Sequence, residues 1–232
     1  MFCLSLGPSA LFQRSPLPGF TSIQHRRCNC RESLGHEGYH LLGCYRTYAH
    51  DKAVRAVNDM CRAAKLVSEV EPHGQMSGER RPDLLIPNLR ADGKSYLADF
   101  ASVDPVRQSS IEHAWCKAGY AANQRDQEKR TSYSGHYNPV AFTMLPLIVE
   151  TTGRMHTGLR RFLTEVAIFA SKYLPLGGVG EHRFKSRFLQ FWKSRIVVTF
   201  LKALAASAMH SLRAIVERTS IYRPASRVLD IF

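Results

Sequence analysis

The segment Tyr96-Leu97-Ala98-Asp99-Phe100-Ala101-Ser102-Val103 reads as a strand that is apolar on both faces except at Asp99. A lone carboxylate buried in such a strand costs on the order of several kcal/mol unless something compensates its charge. A metal ion would do so. Upstream, Arg80-Arg81-Pro82-Asp83-Leu84-Leu85-Ile86 sets a second carboxylate at the start of another apolar strand, Asp83–Pro87. The intervening residues Asn88–Lys94 contain an Asp92-Gly93 turn signal, so the two runs predict a β-hairpin. Pairing Asp83 opposite Asp99 in an antiparallel ladder centres the turn on residue 91, the middle of that loop. The spacing therefore allows both carboxylates to meet on adjacent strands.

The surrounding elements follow from periodicity. A helix is expected over Thr47–Val67, where Val54, Val57, Cys61 and Ala64 recur at helical spacing, and Gly74–Glu79 reads as loop. A second helix, Ser110–Ser132, carries Ile111, Ala114, Trp115, Ala118 and Ala122 on one face. Lys129 lies eighteen residues, five full turns, beyond Ile111 and is expected on that inward face, with Tyr133 one turn further on. Such a lysine near two carboxylates is either a plain buried salt bridge or a catalytic ammonium. Val140–Glu150 reads as a buried strand, followed by helices over His156–Tyr173 and Lys185–Arg218 separated by the loop Pro175–Glu181. The order predicts a mixed α/β domain of one sheet flanked by helices.

The 32 Lys and Arg against 19 Asp and Glu give a formal charge of +13 on 232 residues, which favours a polyanionic partner. The longest apolar stretch, Ile196–Ala208, is interrupted by Lys202 and is shorter than the ~20 residues that span a bilayer, so no membrane partner is expected. Of six cysteines, Cys28, Cys30 and Cys44 cluster, which suggests a reducing compartment and metal-bound thiols rather than a disulfide framework. With His40 they make a complete tetrahedral set for structural zinc. His36 competes for the fourth place, His40 being preferred because it stands one helical turn from Cys44.

Together these residues resemble the restriction-like endonuclease of the PD-(D/E)xK superfamily, in the form found at the C-terminus of site-specific non-LTR retrotransposons and related protist and plant elements. The resemblance runs over about residues 28–218. It rests on the Cys28/Cys30/His40/Cys44 knuckle, Arg81-Pro82-Asp83, the second acid Asp99, Lys129 and Tyr133 in a K-x-x-x-Y helix, and Pro146-Leu147-Ile148-Val149-Glu150-Thr151-Thr152-Gly153. It implies a linker or truncated upstream region over 1–27, a zinc knuckle over 28–46, a restriction-endonuclease-like mixed sheet flanked by helices over 47–175, and a helical extension over 176–232. It further implies a target-nicking DNA endonuclease in which Asp83 and Asp99 ligate Mg2+ or Mn2+, Lys129 positions the attacking water and Tyr133 supports the site. DNA, RNA of the element and a reverse-transcriptase domain in a longer parent protein are the implied partners. The location is nuclear if genomic DNA is cut and cytoplasmic otherwise. Asp99-Phe100-Ala101 lacks the lysine that the superfamily places two residues after the acid, so activity depends on Lys129.

Several acids are read in two ways. Glu69 or Glu71 is a further metal ligand or a solvated helix end, and Glu150 is a cap or a carboxylate at the site's edge. His50 and Asp51 read as helix N-terminal residues. The alternative function is a catalytically inactive, zinc-stabilised nucleic-acid-binding remnant whose Arg26, Arg27, Arg31, Arg80 and Arg81 contact phosphates. In either case the excess Lys and Arg should flank the knuckle and the Asp83/Asp99 cleft. For the knuckle, atomic absorption should find one zinc per chain, lost on Cys28→Ser; a metal-free protein of unchanged stability would count against the site.

Overall fold

The computed structural model of the chain describes residues 46–78, 80–175, 178 and 180–220. The knuckle residues Cys28, Cys30, His36, His40 and Cys44, and the arginines Arg26, Arg27 and Arg31, lie outside them. One compact unit spans Arg46–Leu204; the described part of a second, Ala205–Ser220, is the last part of a long helix.

The first unit is mixed α/β. Helix α1 (Arg46–Ala63) is followed by β1 (Glu69–Val70), β2 (Leu84–Pro87) and β3 (Ser95–Val103), then by the short α2 (Ile111–Cys116), α3 (Tyr120–Tyr133) and β4 (Phe142–Glu150). Helix α4 (Thr157–Tyr173) and residues 181–204 of α5 (Glu181–Ser220) complete it. The sheet has the order β1-β2-β3-β4, with antiparallel pairing up to β3 and parallel pairing of β3 with β4. The parallel pair needs a crossover, which α2 and α3 provide.

The sheet is covered on both sides because its strands are apolar on both sides. Side chains alternate along a strand. Ala101 and Val103 of β3, with Ile148 of β4, pack on Ala121 and Ala122 of α3. Leu97 and Met144 meet Tyr133 at the other end of the same helix. Phe100 points to the opposite face, where its ring lies against His50 of α1 and Phe200 of α5. Helix α1 buries Val54, Val57 and Cys61, and Ala64 just past its end is buried too, the face expected from spacing.

Three local findings differ from the sequence expectation. Helix α1 stops at Ala63, because Lys65 turns left-handed (φ 63) and the Leu66 amide donates back to the Cys61 carbonyl at 2.9 Å, with Lys65 N–H bonding the Arg62 carbonyl at 3.0 Å. This is the Schellman closure of a helix, and it frees Glu69–Val70 to pair with β2. The expected single helix over 110–132 is two helices. Lys117 is extended and Gly119 left-handed (φ 82), which breaks the axis before α3 begins. As a result none of α2 is buried, and Trp115, expected inward, is 77% exposed. The inward face is carried instead by Ala121, Ala122 and Tyr133.

Gly153, at the turn after β4, has φ 87, and a Cβ there would lie 3.1 Å from Val197 Cγ1 and 3.2 Å from Leu201 Cδ1 of α5. The left-handed backbone alone disfavours any L side chain by about 1–2 kcal/mol. Gly153→Ala should therefore lower stability in chemical denaturation by more than Gly74→Ala, a left-handed glycine (φ 83) with open space at its Cβ. Equal losses would show that the contact with α5 yields freely.

Candidate active site

The hairpin register decides where the carboxylates stand. Leu84 pairs with Ala98, Leu85 with Leu97, Ile86 with Tyr96 and Pro87 with Ser95. Continuing this ladder by one residue sets Asp83 opposite Asp99, as the loop symmetry predicted. Asp83 is just outside β2, and its carbonyl accepts from the Glu71 amide at 2.9 Å, which ties it to the end of β1. Asp99 sits mid-strand and its side chain is only 6% exposed.

Lys129 and Tyr133 are one turn apart on α3 and both reach Asp99. The Tyr133 hydroxyl donates to Oδ1 at 2.7 Å. Lys129 Nζ is 2.7 Å from Oδ2 and forms an ion pair with that buried oxygen. Burial pushes the Asp99 carboxyl above the usual carboxylate range; Lys129 opposes the shift, while the nearby Asp83 charge adds to it. Burial, and then the charge of Asp99, push the Tyr133 phenol well up, so it serves as a hydrogen-bond donor. Lys129 thus arrives where the sequence placed it, although the helix from which it was phased is interrupted at Gly119.

Asp83 is held from two sides. Its Oδ2 accepts from the Phe100 amide at 2.5 Å and from His50 Nε2 at 3.1 Å. The same Nε2 stands 3.1 Å from the Phe100 carbonyl, and Nδ1 is 3.3 Å from Asp51 Oδ1. Burial works to lower the His50 pKa, but the hydrogen bond and charge of Asp83, with a smaller contribution from Asp51, raise it to about 9. His50 is therefore an imidazolium at neutral pH. Sequence reasoning treats it as an ordinary residue at a helix start; the one available signal is its position at the inward-turning beginning of α1.

The other expected residues fall around this centre. Arg80 donates to Ser132 Oγ at 2.6 Å, and its guanidinium lies 5.7 Å from the Tyr133 ring centroid. Arg81 is 3.9 Å from Glu71 and is exposed. Glu69 and Glu71 are exposed, Glu69 within β1 rather than at a helix end. Glu150 is buried, with Arg154 Nε 3.4 Å from Oε2 and Oε1 without a partner. Asp99 is paired with Pro146, so Glu150 lies four residues further along β4, about 13 Å up the sheet. That separates it from the carboxylate pair.

Among the described residues no group of three or more His, Cys, Asp and Glu side chains is arranged to hold a metal ion. The two carboxylates of Asp83 and Asp99 are a smaller donor set. It suits a hard cation such as Mg2+, which keeps several waters and takes one or two carboxylates. No protein-family model matches the chain, and no curated protein matches it.

The His50 interaction gives a pH dependence of defined sign. Its folded pKa, about 9, exceeds the ordinary 6.5, so the stability it contributes is fully present below about pH 6.5 and is lost as pH rises through about 9. Denaturant unfolding across that window should show this decline, and His50→Gln should remove it. A His50→Gln profile as steep as that of the wild type would assign the decline to other groups.

Proposed function

We propose that the unit containing Asp83 and Asp99 is a metal-dependent DNA endonuclease with a restriction-endonuclease-like core, the target-nicking part of a retrotransposon-derived protein. The observation that carries this reading is the convergence of Asp99, Lys129 and Tyr133, with Asp83 held opposite Asp99 by the hairpin register. A carboxylate buried between a strand and a helix, with an ammonium beside it and a second carboxylate near, is an expensive arrangement for stability alone. Raised carboxyl pKa values of this kind cluster at functional sites.

Asp83 and Asp99 would hold Mg2+ or Mn2+, which when bound polarises a phosphodiester and lowers the pKa of a bound water. The protein's own groups have separable tasks. Tyr133 fixes the rotamer of Asp99 through Oδ1, and Oδ2 faces Lys129. The Phe100 amide and His50 hold Asp83 by Oδ2. Lys129, partly exposed beside Asp99, orients a water and stabilises negative charge that develops on the phosphoryl oxygens. Arg80, 5.7 Å from the Tyr133 ring centroid, would contact the DNA backbone. Structural zinc on Cys28, Cys30, His40 and Cys44, DNA or element RNA as partner, an attached reverse-transcriptase domain and a nuclear site of action belong to the same reading.

One observation favours the alternative, a zinc-stabilised nucleic-acid-binding remnant without catalysis: Lys129 and His50 already balance the two carboxylates. Plasmid nicking in Mg2+ or Mn2+ decides between them. Wild type should nick, and Asp83→Ala or Asp99→Ala should abolish nicking while DNA binding survives. Lys129→Met should slow nicking by about 100- to 1000-fold, the usual loss for one donor to developing charge. Equal nicking by the carboxylate variants overturns the enzyme reading.

A further inference from the structure

Between residues 182 and 216 the sequence holds seven Lys or Arg and no Asp or Glu. Helical geometry sorts part of this run within α5. Trp192, Ile196, Phe200 and Leu204 recur every fourth residue and are buried. Arg183, Arg187, Arg195 and Lys202, with Phe191 and Val198 among them, are exposed on the opposite side of the helix. The stripe from Arg183 to Lys202 is about 28 Å long at the rise of an α-helix. Lys185, off this face, pairs with Glu181 at 3.1 Å, whereas none of the four stripe cations meets a carboxylate among the described residues. Arg195 instead lies 5.5 Å from the ring centroid of Trp192.

We propose that this face of α5 is a docking rail for the backbone of duplex DNA. It rests on the nuclease reading only for the choice of DNA as the polyanion. Charge complementarity carries the argument: four cations that form no ion pair among the described residues lie along one side of a single helix, and each can neutralise a phosphate. A single strand is a poorer match, since sites for single strands stack successive bases on several aromatic rings, and this face exposes only Phe191. An anionic membrane is poorer still. A surface-bound helix buries a broad apolar face in lipid, and here that face is already buried within the protein.

The test uses the full chain and a labelled random-sequence duplex, with binding followed by fluorescence anisotropy over a salt series. Arg183→Gln/Arg187→Gln/Arg195→Gln/Lys202→Gln should bind at least tenfold more weakly at low salt. Its plot of log affinity against log salt should be shallower by about 0.9 for each phosphate that the variant leaves without a cation. Arg187→Glu and Lys202→Glu, made singly, should each weaken binding and keep the wild-type circular dichroism spectrum. Wild-type affinity and slope in all these variants overturn the rail, whatever the nicking assay gives. It is equally overturned if the substitutions abolish binding to phosphatidylserine vesicles but leave duplex binding unchanged. Absence of nicking, with duplex binding that still depends on the four cations, removes the nuclease reading and leaves the rail standing.

Discussion

The contact on which the first unit turns is the meeting of Asp99 with Lys129 and Tyr133 across the β3–α3 interface. A carboxylate in the middle of a doubly covered strand has lost nearly all its water, and its pKa rises in consequence. Two side chains one turn apart on α3 supply what water no longer does, one donating a hydrogen bond and the other placing a positive charge. Because they share a helix face, they also set how far along the sheet α3 can lie. Removing one partner from such a pair costs on the order of 3–5 kcal/mol, more than replacing the whole pair by apolar groups. The arrangement is thus a poor way to gain stability and a good way to hold a carboxylate in one orientation.

Asp83 completes the site through backbone geometry. In an antiparallel hairpin the loop midpoint fixes every cross-strand pair, so a turn centred on residue 91 brings Asp83 to Asp99 without any attraction between them. The two charges repel, and His50 from α1 with the Phe100 amide holds Asp83 in place. Helix α1 reaches Asp83 from the face of the sheet opposite α3. The site is therefore gripped from both layers, which is how a marginal arrangement of like charges persists inside a folded domain.

That division explains what could be read from the sequence. The hairpin, its register and the buried β4 follow from local patterns of alternation and turn residues, and the structure has them. Lys129 and Tyr133 share a face through their own spacing, but the phase counted from Ile111 does not hold: Gly119 restarts the helix, and the Trp115 face turns outward. The role of His50 depends on partners 33 and 50 residues away, so no local pattern encodes it. Strand β1 is two exposed residues created by the Schellman closure at Lys65. Propensity cannot register an element whose only support is its neighbour.

Charge is distributed on two scales. The whole chain carries +13, yet the site pairs two carboxylates with one ammonium and one imidazolium and is close to neutral. A divalent cation entering a neutral cluster meets no net attraction, and a phosphodiester approaching the same cluster meets none either. Each supplies the charge the other lacks. On the nuclease reading, metal and DNA should therefore strengthen each other's binding, and linkage makes that strengthening the same in both directions. On the same reading the basic face of α5 would act at longer range, drawing the polyanion to the protein by a field that salt screens within about 10 Å. Capture would then be left to the surface and cleavage to the buried pair, so neither task would require the site itself to be strongly charged.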